Sequence, residues 1–131
     1  MHITLEADYA IRIAVYLARV NKRVDAGTIA ENTGVTLRFA LKILRNLVSH
    51  EIAKSYKGTQ GGYELARAPK EITLKELLEA VEGQYVLSRC LNGTQECTNP
   101  KCSDCKAKRV FANITNTVQS MLDEVCLADL M

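Results

Sequence analysis

Two short helical patterns joined at a glycine, a glycine-rich hairpin directly behind them, and a long apolar repeat near the C-terminal end predict a mainly α fold. The order of these pieces is that of a winged helix-turn-helix, with a small β-hairpin wing and a long C-terminal dimerisation helix. The expected divisions are a head over residues 1–83, a cysteine-rich loop over 84–105 and the long helix over 106–131.

The first helix is expected over residues 3–20. Leu5, Tyr9, Ile13, Leu17 and Val20 recur at helical spacing, and Ile11 and Val15 extend the apolar surface to a second face. A helix with two apolar faces meets more than one neighbour. Asp8 and Arg12 stand four apart, as an ion pair on the polar side. Asp25 is the N-cap of a short helix reaching Thr33. Gly34 supplies the left-handed residue that ends it. Val35 is the apolar plug of the turn, and Thr36 caps a helix running to about His50. Leu37, Leu41, Leu44 and Leu47/Val48 are read as its buried stripe.

The opposite face of that helix carries Thr36, Arg38, Phe39, Lys42, Arg45 and Asn46, with no acid before Glu51. A solvated helix usually mixes both signs. Donors near the N-terminal end of a helix are what reach base edges and phosphates. Next, residues 52–57 and 63–66 read as two strands joined through Gly58, Gly61 and Gly62. Lys57, Thr59 and Gln60 lie at the tip, where a wing touches backbone or minor groove. No Gly-Lys-Ser/Thr follows these glycines, so a phosphate-binding loop is the weaker reading. Pro69 ends the hairpin region. Thr73 and Glu76 form a capping box opening a helix to Glu82, which Gly83 closes. The last helix is expected from Ser103 or Asp104, with Phe111, Ile114, Val118, Met121 and Val125 repeating every three or four residues as a coiled-coil seam. Its own twin is the simplest surface to cover that seam.

Charge is uneven. Residues 36–70 hold seven basic and two acidic side chains, net +5, in a chain of net charge +2. A local basic segment in a near-neutral chain suits a polyanion. No apolar run reaches the length of a membrane span, and Glu6, Asp8, Arg12 and Arg19 interrupt any leader-like stretch. The expected location is the cytoplasm, where thiols stay reduced.

Four of the five cysteines, Cys90, Cys97, Cys102 and Cys105, fall within sixteen residues, with intervals of six, four and two residues between them. Gly93, Asn99 and Pro100 break regular structure there. Thiolates on such a loop wrap a soft metal centre, either zinc or an iron–sulfur cluster. Arg89, Lys101, Lys106, Lys108 and Arg109 surround the thiols and favour the ligating thiolate. Zinc sites usually show two tight Cys-x-x-Cys pairs, whereas only Cys102 and Cys105 are so spaced. These two are expected on one face of the opening last helix. Cys126 is read as a packed thiol in a helical pattern.

With these pieces placed, the chain resembles the IscR/NsrR family of bacterial winged-helix regulators over nearly its whole length. The residues that carry the likeness are Asp8-Tyr9-Ala10, Gly34-Val35-Thr36-Leu37, the wing from Lys57 to Leu65, the helix from Ile72 to Val81, and the cysteine loop before a long helix. The resemblance implies a homodimeric repressor or activator on double-stranded DNA. Its inverted-repeat operator would be bound in response to an iron–sulfur cluster that senses iron, redox state or nitric oxide. It also implies three cysteine ligands, here Cys90, Cys97 and Cys102, with a fourth ligand of another type. Where the biogenesis branch has a histidine, this chain has Cys105. Where the nitric-oxide-sensing branch uses a carboxylate across the dimer, it has Asp8. At Leu41 it departs from a glutamate of the biogenesis branch.

Two other functions compete with this reading. One is a winged-helix regulator that uses zinc, a thiol redox switch or a protein partner instead of a cluster. The other is a metal-bearing interaction module without DNA binding. An enzyme is not expected: no nucleophile–base pair or phosphate cradle is present, and His2 and His50 are the only imidazoles.

Overall fold

The computed structural model describes residues 2–93 and 97–131; residues 94–96 of the predicted cysteine loop lie outside it. Helices α1 (Leu5–Val20), α2 (Ala26–Thr33) and α3 (Leu37–Ser49) form the head, and the hairpin β1 (Ala53–Tyr56) and β2 (Gly62–Leu65) is the wing. Helix α4 (Leu74–Glu82), the cysteine segment and the long α5 (Lys106–Glu124) follow, and short 3₁₀ turns join the later elements.

The three predicted caps form, and Thr4 adds a fourth. Thr4, Asp25, Thr36 and Thr73 each accept a backbone N–H in the first turn of the helix they open. The αL residues Asn21 and Gly34 close α1 and α2. Val35 is buried between α2 and α3, as expected of the turn's plug.

The faces of two helices differ from expectation. The core side of α1 is Ala7, Ala10, Ile13, Ala14, Leu17 and Ala18, whereas Leu5 is exposed. Small side chains let α2 and α4 approach α1 closely, so alanines take the positions expected of larger residues. The core side of α3 is Ala40, Ile43, Leu44 and Leu47. Leu37 and Leu41, read as part of its buried stripe, are exposed. Ala40 and Ile43 set the inward direction, and it lies about a quarter-turn from Leu41. Fully buried Ile13, Leu17, Ile29, Ile43, Leu44, Leu47, Ile52, Ile72 and Leu77 join in one cluster. Each contributes about 1.5–3 kcal/mol on burial.

The wing strands pair antiparallel from Ala53 opposite Leu65 to Tyr56 opposite Gly62. Val24 adds a one-residue bridge on the other side of β2: it exchanges N–H···O bonds of 2.9 and 2.7 Å with Tyr63. Gly62 makes this approach possible. It has φ +149°, and a Cβ there would lie 2.5 Å from the Val24 carbonyl oxygen. Gly62→Ala is therefore expected to lose about 1–3 kcal/mol through backbone strain. The loss should appear as a lower urea midpoint with an unchanged slope.

The C-terminal end departs most from the sequence reading. Helix α5 begins at Lys106, later than expected, with Cys105 as its N-cap, and it stops at Glu124. Val125 and Cys126 are extended, so Val125 is not part of a helical seam and Cys126 is not on a helix. The segment pairs with the start of α4: Leu74 N–H donates to Val125 O and Leu127 N–H to Ile72 O, both at 2.8 Å. Leu127 is fully buried in the head's core. Cys126 is half-buried, and its thiol donates to Asp129 Oδ2 at 3.1 Å.

Between its ends α5 lies against α4 and the preceding loop. Thr115 is buried on that side, its hydroxyl accepting Leu87 N–H at 3.1 Å, and Gln119 donates to Tyr85 O at 2.7 Å. Val110, Phe111, Ile114 and Met121 point away and are exposed, while Val118 is half-buried. No helix among the described residues is long and apolar enough to cross a membrane.

Candidate nucleic-acid interface and cysteine site

The exposed side of α3 presents Arg38, Phe39, Lys42 and Arg45, with Leu37 and Leu41 among them. Thr36 stands at the helix start as its cap, its hydroxyl accepting Phe39 N–H at 3.4 Å. Among the described residues Arg38 and Arg45 form no ion pair, so their guanidinium groups are available to an incoming anion. Lys42 differs: its ammonium pairs with Glu6 of α1 at 3.2 Å. The absence of acids along α3 therefore does not leave the whole stripe uncompensated. Glu6 reaches it from a neighbouring helix, and spacing within one helix gives no sign of that. Phe39 also leans on α1, its ring edge-to-face with Tyr9 at 5.9 Å. Arg12 lies over the other aromatic partner, 5.4 Å from the Tyr9 centroid, and pairs with Asp8 at 2.7 Å as expected.

The wing tip carries Lys57, Thr59 and Gln60, all exposed. Arg23 braces it, a residue that sequence reasoning missed. Its guanidinium sits 3.4 Å from the Tyr56 ring centroid and donates to Gln60 O at 3.2 Å. Tyr56 in turn donates to Glu64 at 2.5 Å, and this bond to the carboxylate holds its hydroxyl proton more tightly than usual. The available signal was positional: Arg23 precedes Val24, the residue that pairs with the hairpin.

The cysteine segment is shaped by local bonds. Cys90 lies in a 3₁₀ turn, half-buried, its sulfur 3.2 Å from Ser88 Oγ. Asn99 Oδ1 accepts Lys101 N–H at 3.0 Å, and Asn99 O accepts Cys102 N–H at 3.1 Å, closing a turn over Pro100. Cys102 opens a 3₁₀ turn and Cys105 caps α5, with its sulfur accepting Lys108 N–H at 3.4 Å. The two thiols are thus close in the chain but do not share an α-helical face. The turn over Pro100 delays the helix to Lys106.

Their protons are unequal. Cys97 is exposed, and its thiol is shifted toward thiolate by the Asn99 amide first, then by a bond from Cys102, then by Lys108 and Arg89. Cys102 is shifted the opposite way because it donates to Cys97. The expected cations Lys108 and Arg89 act on Cys97, and Lys108 acts on Cys102 as well. All five cysteines are free thiols. Among the described residues no three His, Cys, Asp or Glu side chains stand close enough to hold a metal ion. Asp8, engaged by Arg12 on α1, is not brought to the cysteines within the chain.

Comparison with known proteins agrees with this architecture. Residues 3–131 match the family model Rrf2, described as an iron-dependent transcriptional regulator. The regulator NsrR of Bacillus licheniformis is 25% identical over 135 residues, covering 100% of this chain and 92% of its own length. Among solved structures, IscR of T. potens superposes with a TM-score of 0.74 at 23% identity, covering 99% of this chain and 85% of that one. CymR of B. subtilis, titled the global cysteine regulator, reaches 0.77 at 22% identity, covering 99% and 95%. These two likenesses establish the winged-helix fold. With a family match over nearly its full length, the chain belongs to the Rrf2 family of DNA-binding transcriptional regulators, and is not an enzyme.

Proposed function

We propose that the chain acts as a homodimeric repressor on an inverted-repeat operator, and that an iron–sulfur cluster on the cysteine segment controls its affinity for DNA. The observation that carries the DNA half is the pair of guanidinium groups, Arg38 and Arg45, with no ion-pair partner among the described residues, beside Phe39 and Lys42 on one exposed face of α3. Laid in a major groove, Arg38 is placed early in the helix, where a side chain reaches base edges. Thr36, at the cap, and Lys57, Thr59 and Gln60, on the wing, are assigned to the flanking backbone. Arg38→Ala is expected to cost about 1–3 kcal/mol and relax sequence preference, as loss of a base contact does. Lys57→Ala should weaken all sequences alike and lower the salt slope by about one. Fluorescence anisotropy on specific and scrambled duplexes across a salt series separates the two.

The sensor half rests on donor chemistry. Cys90, Cys97 and Cys102 would supply soft thiolate ligands, and the Cys97 thiol is shifted toward thiolate by the Asn99 backbone amide first. For the fourth ligand Cys105 is preferred over Asp8 of the partner subunit. Its sulfur accepts the Lys108 N–H at the start of α5, and sulfur is a softer donor than a carboxylate oxygen. Asp8 would first have to leave Arg12. When bound, a cluster supplies iron that reacts with oxidants or nitric oxide. Residues 84–105 join α4 to α5, so tying or freeing their thiols changes how α5 meets the head and how the two heads are spaced. Anaerobic reconstitution of Cys105→Ser and Asp8→Ala tests the set. The first should change the absorption and Mössbauer spectra, and the second should leave them unaltered; the reverse result gives the fourth position to Asp8.

A second reading keeps the DNA interface and replaces the cluster with a thiol switch. The exposed Cys97 thiol favours it: shifted toward thiolate and five residues before Cys102, it could attack an external disulfide, and Cys102 could then displace the released thiol, leaving a Cys97–Cys102 bond and the external disulfide reduced. Zinc in place of iron would leave the protein colourless, incorporated at one equivalent per chain.

A further inference from the structure

We propose that Leu37 and Leu41 make the recognition helix a reader of thymine methyl groups, an inference that rests on the DNA reading above. Leu37 is 50% exposed and Leu41 38% exposed, although both are large aliphatic side chains on a well-packed helix. They stand one turn apart, at i and i+4, and so line one strip of the surface. Leu41 is also three residues after Arg38 and four before Arg45, which places it between the two guanidinium groups that have no ion-pair partner among the described residues. The strip is therefore apolar at its centre and cationic along its edge.

That combination selects its occupant. A second copy of the same surface would bring Arg38 and Arg45 against their twins, which like-charge repulsion opposes. An apolar peptide would leave the guanidinium groups without anions. Duplex DNA supplies both partners at once: phosphates and guanine edges for the arginines, and the thymine C5-methyl for the leucines. That methyl is the one apolar group that base edges present in the major groove. Phe39 is less free to take this part, because its ring is already packed on Tyr9.

The test begins with a duplex recovered by selection from a randomised library. It is resynthesised with deoxyuridine for thymidine, one position at a time, which removes only the methyl group. Wild-type protein should lose affinity by a factor of about four for each methyl that the leucines cover. The salt slope should not change, since no charge is lost. Leu41→Ala and Leu37→Ala, both surface changes that leave the core intact, should bind the thymine and uracil duplexes alike at the position each residue reads. Equal affinity of wild type for both duplexes at every position would overturn the proposal while leaving the DNA reading in place. Retained discrimination in both leucine variants would assign the methyl to another residue. Failure to recover any duplex would overturn the DNA reading and this proposal with it.

Discussion

An Ile114→Asp chain is expected to stay folded, to sediment as a monomer, and to lose operator affinity by a hundredfold or more. Ile114 projects from α5 into solvent with Phe111 and Met121, so within one protomer the change is a surface substitution, costing about 0.5 kcal/mol or less. In a two-fold dimer the same patch meets itself, and each interface receives two carboxylates. A buried charge without a partner costs about 3–5 kcal/mol. Dissociation then removes the second head from the operator, and with it an avidity of about 10²–10⁴. Val118→Asp is a less clean probe, because Val118 is half-buried within its own protomer. Sedimentation velocity and anisotropy on the same sample check both parts. A tight Ile114→Asp dimer would place the dimer contact elsewhere.

Leu127→Ala is expected to destabilise the chain by about 2–5 kcal/mol, the range for a buried leucine truncated to alanine. Its side chain is fully buried with Ile72 and Leu77, and its N–H donates to Ile72 O at 2.8 Å. The substitution keeps the backbone bond and removes the plug. Because the same segment ends α5, the loss should exceed that of a frayed terminus. Urea denaturation followed by circular dichroism should show a lower midpoint in a single transition. A change of less than about 0.5 kcal/mol would mean the tail is not docked in solution.

Leu127 also shows where the sequence ceases to be legible. Asp25, Gly34, Thr36 and the Thr73–Glu76 box are local signals, each decided by hydrogen bonds within a few residues, and all were readable. The tail's return to α4 is a pairing across about fifty residues, with no local periodicity to announce it. The inward face of α3 was misjudged for a related reason. Leucine spacing suggested Leu37 and Leu41, but the buried side of α3 is set by Ala40, Ile43, Leu44 and Leu47, facing α1 and α2, and α1 itself is lined with alanines. In the site, the basic stripe and the wing tip were legible as composition. The Glu6–Lys42 pair and the Arg23 brace were not, because each joins elements from separate parts of the chain. For the cysteines, spacing proposed a donor set but not the local turns that hold it. The delayed start of α5 follows from the turn at Asn99 and Pro100, whose strength against the helix periodicity alone could not weigh.

If the state of the cysteine segment sets the affinity for DNA, loading and removing a cluster must move the operator Kd. Operator duplex is titrated anaerobically with cluster-loaded protein and with the same protein after chelation, at one salt concentration. A coupling of about 1–3 kcal/mol, or about 5- to 150-fold in Kd, is the expected difference. Two curves that superimpose, from samples whose spectra confirm loaded and cluster-free protein, would contradict it.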